Sequence, residues 1–264
     1  MSEVRIGKYQ LHHGEEPCIS GTRGSGTVFF SGCNLGCVFC QNNPISHLGV
    51  GKQYTIEGLA DIFKELEEKG AHNINIVTGY SWIDRIIEAF DIYRPSIPVI
   101  WNSSGYEDVE KIKSLEKYVD VYLPDFKYDD AVLAGKFSKK TDYPEIARLA
   151  ISEMLRQKGN PVFDSEGIIQ KGVIVRHLVL PLHIKNTEAV IRHFTEYFGD
   201  AWLSLMLQYT PVVQSDSFPE LNRTLTKREC EKALELLYGS DITNGYVQDI
   251  SAATDELIPD FNNI

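Results

Sequence analysis

The sequence predicts an α/β fold: a partial (β/α)6 TIM-type barrel, with parallel strands inside and helices outside. Apolar runs of strand length alternate six times with segments of helical periodicity. Such a series of β–α units implies parallel strands joined by right-handed crossovers. Polar residues also gather where each strand ends, the edge at which parallel barrels build their sites. The 264 residues suit one domain of this kind, since single α/β barrels of about 250 residues are ordinary. A hydrophobic fraction of 43% supports a sizeable core. We therefore expect a single domain over residues 1–264. Its parts would be an N-terminal approach segment (1–26), a barrel core (27–215) and a C-terminal helix and tail (216–264).

The elements follow in order. Residues 27–31, Thr27-Val28-Phe29-Phe30-Ser31, read as a buried strand that runs straight into a group of cysteines. Over 55–69, Ile56, Leu59, Ala60, Phe63 and Leu66 recur at helical spacing, with Thr55 as N-cap and Gly70 as the stop. Strands are expected at 74–78, 98–102, 119–123, 172–180 and 202–208. Helices are expected at 81–93, 106–118, 143–158, 187–198 and 226–238. The run Gly21-Thr22-Arg23-Gly24-Ser25-Gly26 lacks the Lys-Ser/Thr ending of a phosphate cradle and precedes a strand, so it reads as an approach loop.

Charge and composition exclude several functions. Twenty-six basic against 37 acidic residues give a net charge of −11, which argues against sequence-independent binding to nucleic acid or an anionic membrane. No apolar run approaches the roughly 20 residues of a membrane span. Met1 to Ile6 has no apolar signal core. The expectation is a cytoplasmic, reducing compartment, where clustered cysteines bind metal more often than they form disulfides.

Three of the five cysteines, Cys33, Cys37 and Cys40, fall in a C-x3-C-x2-C run with Phe39 before the last. Thiolates are soft ligands for iron–sulfur clusters and zinc. Complete protein coordination of a [4Fe-4S] cluster uses four cysteines. Three leave one iron open to a substrate or cofactor, which signals chemistry more than scaffolding. The rival is zinc with His12, His13 or His47 as fourth ligand, although structural zinc sites usually join two ligand pairs. Cys18 is a distant candidate fourth ligand. Cys230 lies in a helical stretch and reads as a packed small side chain.

This cysteine pattern, following a strand of an α/β barrel, resembles the radical S-adenosylmethionine (SAM) superfamily. Residues 24–42 are more closely similar to pyruvate formate-lyase activating enzymes. The resemblance continues through Asn102-Ser103-Ser104-Gly105-Tyr106 and Tyr122-Leu123-Pro124-Asp125-Phe126-Lys127. Glu15-Glu16-Pro17, Tyr143-Pro144-Glu145, Pro161-Val162-Phe163-Asp164 and residues 175–181 are similar to one activase-like branch. The resemblance implies a [4Fe-4S] cluster on the three cysteines. Its open iron would chelate SAM, and one electron would then split SAM into methionine and a 5′-deoxyadenosyl radical. It further implies that Phe39 packs near the cluster and adenine, and that Asn102, Ser103 and Ser104 hydrogen-bond the ribose or methionine part. Lys127 would pair with the SAM carboxylate, with Asp125 organising that lysine or a bound cation. Thr78 and Gly79 would bring backbone close to the ligand. Many members carry two glycines and a glutamate at that turn; here it reads Thr78-Gly79-Tyr80-Ser81. Where better-known activases have a histidine after the sixth strand, this chain has Gln208-Tyr209-Thr210-Pro211.

Adjacent strand residues face opposite sides, so at most one of Arg176 and His177 enters the barrel. Arg176 is preferred for the site, and His177 reads as a core histidine. Asp125 and Lys127 also fit a plain surface ion pair, and Asn102 a turn former. The expected reaction is abstraction of a glycine α-hydrogen from a glycyl-radical enzyme or other polypeptide, with flavodoxin or ferredoxin as electron donor. The alternatives are a small-molecule substrate and a non-catalytic iron–sulfur redox or sensor protein. The stretch after Tyr246, with Asp249, Asp255, Glu256 and Asp260, reads as a lid, a docking tail or plain surface.

Overall fold

The computed structural model describes residues 3–248 and 261. In chain order its strands are β1 (Glu3–His12), β2 (Ser25–Phe30), β3 (Lys52–Thr55), β4 (Ile74–Val77), β5 (Val99–Ser103), β6 (Val121–Pro124), β7 (Val162–Phe163), β8 (Ile169–Leu178), β9 (Trp202–Met206) and β10 (Gly245–Gln248). Its α-helices are α1 (Pro17–Ser20), α2 (Asn43–Ser46), α3 (Ile56–Glu68), α4 (Ile83–Ile92), α5 (Val109–Ser114), α6 (Ala131–Ser138), α7 (Tyr143–Lys158), α8 (Ile184–Tyr197) and α9 (Lys227–Tyr238).

Strands β2, β4, β5 and β6 are buried at every residue, as parallel strands covered on both faces must be. The sheet order is β10-β9-β8-β6-β5-β4-β2-β1-β3, with β7 paired antiparallel to β8. From β2 to β9 the six core strands are mutually parallel neighbours, and β10 adds a seventh. β1 lies antiparallel to both β2 and β3. Among the described residues β10 and β3 end the sheet, so the barrel is open. This is the partial α/β barrel that the β–α alternation predicts.

Side-chain alternation divides the strands into two packed faces. Trp101, Tyr122 and Val173 join the layer beneath the helices, where Phe63 stacks on Phe90 at 4.8 Å. Ile100, Val121, Leu123 and Ile174 face the barrel interior and meet Cys18 and Ile19 of α1. The N-terminal segment thus folds back and packs α1 into the barrel interior as a plug. Glu3–His12 form β1, and Ser25 and Gly26 already belong to β2. The approach loop contracts to residues 21–24. Polar Lys8, Gln10 and His12 dilute the apolar signal of β1, which owes its form to pairing on both sides.

Other boundaries moved for local reasons. α3 keeps its expected cap, with Thr55 Oγ1 accepting Gly58 N–H at 3.1 Å. α5 is shorter than residues 106–118 because Asp108 caps it, accepting from Glu110 and Lys111 N–H. α8 starts three residues earlier than expected and β8 also three earlier. α6, capped by Asp130, was not expected; it is short and carries an internal glycine. α9 has a full capping box from Thr226 and Glu229. Asp249, Asp255, Glu256 and Asp260 of the expected tail lie outside the described residues. Phe261 is buried with Phe29, Ile45 and Val77.

Ile19 is fully buried, so Ile19→Ala should unseat the plug. We expect a loss of roughly 2–5 kcal/mol in urea unfolding, as for other core truncations to alanine. A loss near zero would mean that α1 does not pack as described.

Candidate active site

Beyond β2 the chain turns through Gly32 into the cysteine loop, held down by neighbouring elements. Val38 N–H donates to Phe137 O at 2.9 Å, and Gly32 N–H to Ile45 O at 2.9 Å. Cys33, Cys37 and Cys40 all line one cavity of about 260 Å³ at the C-terminal edge of the sheet. All three are free thiols. Burial pushes the Cys37 thiol up to about 12, and burial likewise raises Cys40. Without a metal these two would stay protonated; a coordinating metal deprotonates its thiols.

Each sulfur accepts a hydrogen bond from a different part of the chain. Leu35 N–H reaches Cys33 Sγ at 3.4 Å, Ser138 Oγ–H reaches Cys37 Sγ at 3.2 Å, and Ser46 Oγ–H reaches Cys40 Sγ at 3.2 Å. Neutral thiols are weak acceptors, whereas thiolates reward such donors. Three donor-satisfied sulfurs on one cavity therefore fit metal-bound thiolates. Among the described residues, no three His, Cys, Asp or Glu side chains are grouped to hold a single ion. That grouping is what zinc requires, whereas in a cubane cluster each cysteine sits on its own iron. Phe39 lines the same cavity and makes edge contacts with Tyr128, Phe137 and Tyr209 at 6.1–6.5 Å. Cys18 belongs to the interior plug and Cys230 to the packing under α9.

Across the cavity stands a buried charge network. Arg176 turns inward from β8 and holds three partners. Its Nε donates to Asp125 Oδ1 at 3.2 Å, its Nη1 to Glu15 Oε2 at 3.2 Å and its Nη2 to Asn102 Oδ1 at 2.5 Å. Lys127 Nζ donates to the other Asp125 oxygen at 2.6 Å. Asn102 Nδ2 and Asn75 Nδ2 both donate to Glu15 Oε1. Side-chain exposure in the four charged residues is only 10–16%, so they are a network inside the site and not a surface pair. Burial favours a neutral Asp125, but Lys127 and Arg176 more than offset it and hold the carboxyl below its usual range. Burial raises Glu15 despite the attraction of Arg176. Glu15 therefore joins the site, although the sequence marks it only as part of a resemblance.

His177 faces the other way. It is fully buried between Phe126 O (2.9 Å from Nδ1) and Thr187 Oγ1 (3.1 Å from Nε2), and burial lowers it to about 4. It is a neutral core histidine.

The turn after β5 differs from expectation in its hydrogen bonding. Ser103 Oγ–H donates to Glu107 at 2.6 Å and accepts Gly105 N–H at 3.2 Å. Its only proton is spent inside the protein. Glu107 also receives Trp101 Nε1–H at 2.8 Å. Gly105 has φ of +75°, and a Cβ there would lie 2.3 Å from Asp125 O, so this turn needs glycine. Tyr143 braces the same region: its hydroxyl lies 2.9 Å from the carbonyls of Ser104 and Asp125 and accepts Lys127 N–H at 2.9 Å. After β4, Thr78 lines the cavity in the left-handed region with φ of +60°. Gly79 does not line it. A Cβ there would meet Ile76, Ile86 and Trp101 within 2.9 Å, so its missing side chain serves core packing.

Residues 27–181 match the family model of the radical SAM superfamily. The chain belongs to the radical SAM superfamily. Members bind a [4Fe-4S] cluster and S-adenosylmethionine, and Cys33, Cys37 and Cys40 are the residues that fit that cluster. An uncharacterized protein of Methanocaldococcus jannaschii is 34% identical over 236 residues, 86% of this chain and 64% of that protein, so the chain spans less than two thirds of that relative. Among solved structures, methylornithine synthase is similar at 17% identity and a TM-score of 0.49, over 78% of this chain and 59% of that one. A domain of pyruvate-formate lyase-activating enzyme from Bacteroides vulgatus is similar at 11% identity and a TM-score of 0.40, over 74% and 91%. Likenesses this distant say nothing of substrate. No helix among the described residues is long and apolar enough to cross a membrane.

Glu107 gives this radical SAM protein a pH signature. Burial raises its carboxyl to about 7, opposed by the bonds from Ser103 and Trp101. The folded protein keeps that proton up to about 7, while the unfolded chain releases it near its ordinary value of 4.5. Between those limits the native state binds more protons, so stability falls as pH rises. Relative to Glu107→Gln, the parent should lose about 3 kcal/mol between pH 4.5 and 7 in urea titrations, at roughly 1.4 kcal/mol per unit. A parent–variant difference independent of pH would contradict this.

Proposed function

We propose that this radical SAM enzyme abstracts the α-hydrogen of a glycine in a partner polypeptide, as a glycyl-radical-enzyme activase does. The observation that carries this reading is that both cationic side chains on the cavity wall, Lys127 and Arg176, are already paired with Asp125 and Glu15. Among the described residues lining the cavity, no lysine or arginine beyond Lys127 is left for an anionic metabolite. The wall formed by Gln208, Thr210 and Gln248 is neutral and rich in amide and hydroxyl groups. Such groups suit a polypeptide main chain, which is neutral and offers one donor and one acceptor per residue.

In this reading Lys127, with N–H bonds remaining beyond the one to Asp125, takes the carboxylate of SAM. Asp125 and Arg176 hold that ammonium in place. Phe39 covers the cluster with its aromatic neighbours, and Thr78, Asn102 and Ser104 border the cofactor. Ser103 acts by shaping the turn, since its proton belongs to Glu107. A [4Fe-4S] cluster held by Cys33, Cys37 and Cys40 would supply, when reduced, the one electron that splits the sulfur–C5′ bond of SAM for hydrogen abstraction. The electron donor is proposed to be flavodoxin or ferredoxin, the compartment cytoplasmic and the catalytic unit a single domain.

The test begins with anaerobically reconstituted protein and a strong reductant. It should release 5′-deoxyadenosine from SAM, and Lys127→Met should weaken SAM binding about tenfold, equivalent to about 1.4 kcal/mol. Co-expression with candidate glycyl-radical polypeptides should then produce a doublet in electron paramagnetic resonance (EPR) on the partner. SAM cleavage without a doublet on any candidate would favour a small-molecule substrate. No SAM binding in calorimetry would leave only a redox or sensor role.

A further inference from the structure

We infer that Ser46 and Ser138 set the reduction potential of the cluster by hydrogen-bonding two of its three ligating sulfurs. Neither residue belongs to the cysteine run. Ser46 closes α2, six positions after Cys40, while Ser138 closes α6, 101 positions after Cys37. Both hydroxyls lie 3.2 Å from their sulfurs.

The Ser138 contact is the end of a relay. Tyr128 OH lies 2.9 Å from Ser138 Oγ in a fully buried setting. Ser138 has one proton, and the sulfur of Cys37 receives it. With that proton on the sulfur, Tyr128 donates to Ser138, in the order Tyr128 to Ser138 to Cys37; Tyr128 is also in hydrogen-bonding contact with Cys37 itself. Each bond in such a chain polarises the next. Buried aromatic rings keep the relay in place: Tyr128 packs against Phe39 and Tyr143. By contrast, among the described residues Cys33 receives a backbone N–H, which no substitution of a side chain removes.

A donor at a ligating sulfur draws off negative charge. Reduction takes the cluster from [4Fe-4S]2+ to [4Fe-4S]1+ by one electron from a low-potential donor, with no proton taken up and no bond to the protein broken. The reduced form carries more negative charge, so sulfur donors stabilise it preferentially and raise the potential. Deleting them makes the cluster harder to reduce. The inference depends on three-cysteine ligation of the cluster and is independent of the hydrogen-donating substrate.

The experiment is an EPR-monitored redox titration, without SAM, of the reconstituted parent and of Ser46→Ala, Ser138→Ala, the double variant, Ser138→Thr and Tyr128→Phe. Iron and sulfide are assayed first, and this separates failure of the ligation itself from failure of the inference. Each alanine variant should have a more negative midpoint than the parent. In the double variant the reduced-to-oxidised ratio at the parent midpoint should fall about tenfold, equivalent to about 59 mV for one electron. Ser138→Thr, which keeps a hydroxyl, should stay with the parent, and Tyr128→Phe should shift less than Ser138→Ala. Equal midpoints at full iron and sulfide content overturn the inference, because a serine that only fills space leaves the potential alone. Where an alanine variant does not assemble the cluster, Tyr128→Phe decides. All three ligands and Ser138 remain in it, and a parent-like midpoint there overturns the relay.

Discussion

A buried arginine constrains the whole active-site half of this protein. Arg176 stands on the inner face of β8 with only 13% of its side chain exposed. A charge so placed must be compensated, and removing a partner from a buried pair costs roughly 3–5 kcal/mol. Its compensation comes from three separate parts of the chain: Glu15 from the N-terminal plug, Asn102 from the end of β5 and Asp125 from the end of β6. The same interaction therefore closes the barrel floor, fixes two strand ends and aims Lys127 through Asp125. Tertiary structure and site chemistry share one set of hydrogen bonds.

The cysteine loop sits against this frame from the other side. α6 touches it twice, through Phe137 O to Val38 and through Ser138 to Cys37. α2 touches it through Ser46. These contacts hold the thiols around one cavity and supply donors to their sulfurs. The charged wall and the sulfur wall then face a single space, lined by a lysine, two carboxylates and an aromatic ring.

The parallel core was legible because strands covered on both faces write themselves as short apolar runs between helical periods. Residues 74–77 and 99–103 are examples. The cysteine motif was legible because its spacing is local. Glu15 and Glu107 were not, since what marks them is burial beside Arg176 or Ser103, contacts made across 161 and four residues respectively. Neither long-range pairing nor the loss of solvent leaves a periodic trace. Gly79 misled for a related reason: a glycine at a strand end suggests close approach to a ligand, while the groups that approach are Ile76, Ile86 and Trp101. The N-terminal strand was hidden by its polar residues, because its pairing with β2 and β3 leaves no mark in its own sequence.

The account stands on three thiols that leave one iron of the cluster free to take SAM. EPR of the dithionite-reduced, fully reconstituted protein with and without SAM tests this most directly. The account predicts that SAM changes the g-values of the reduced cluster, and that SAM labelled with 15N at its amino group adds a nitrogen coupling to the electron spin. A spectrum unaltered by saturating SAM, with no such coupling, would contradict it.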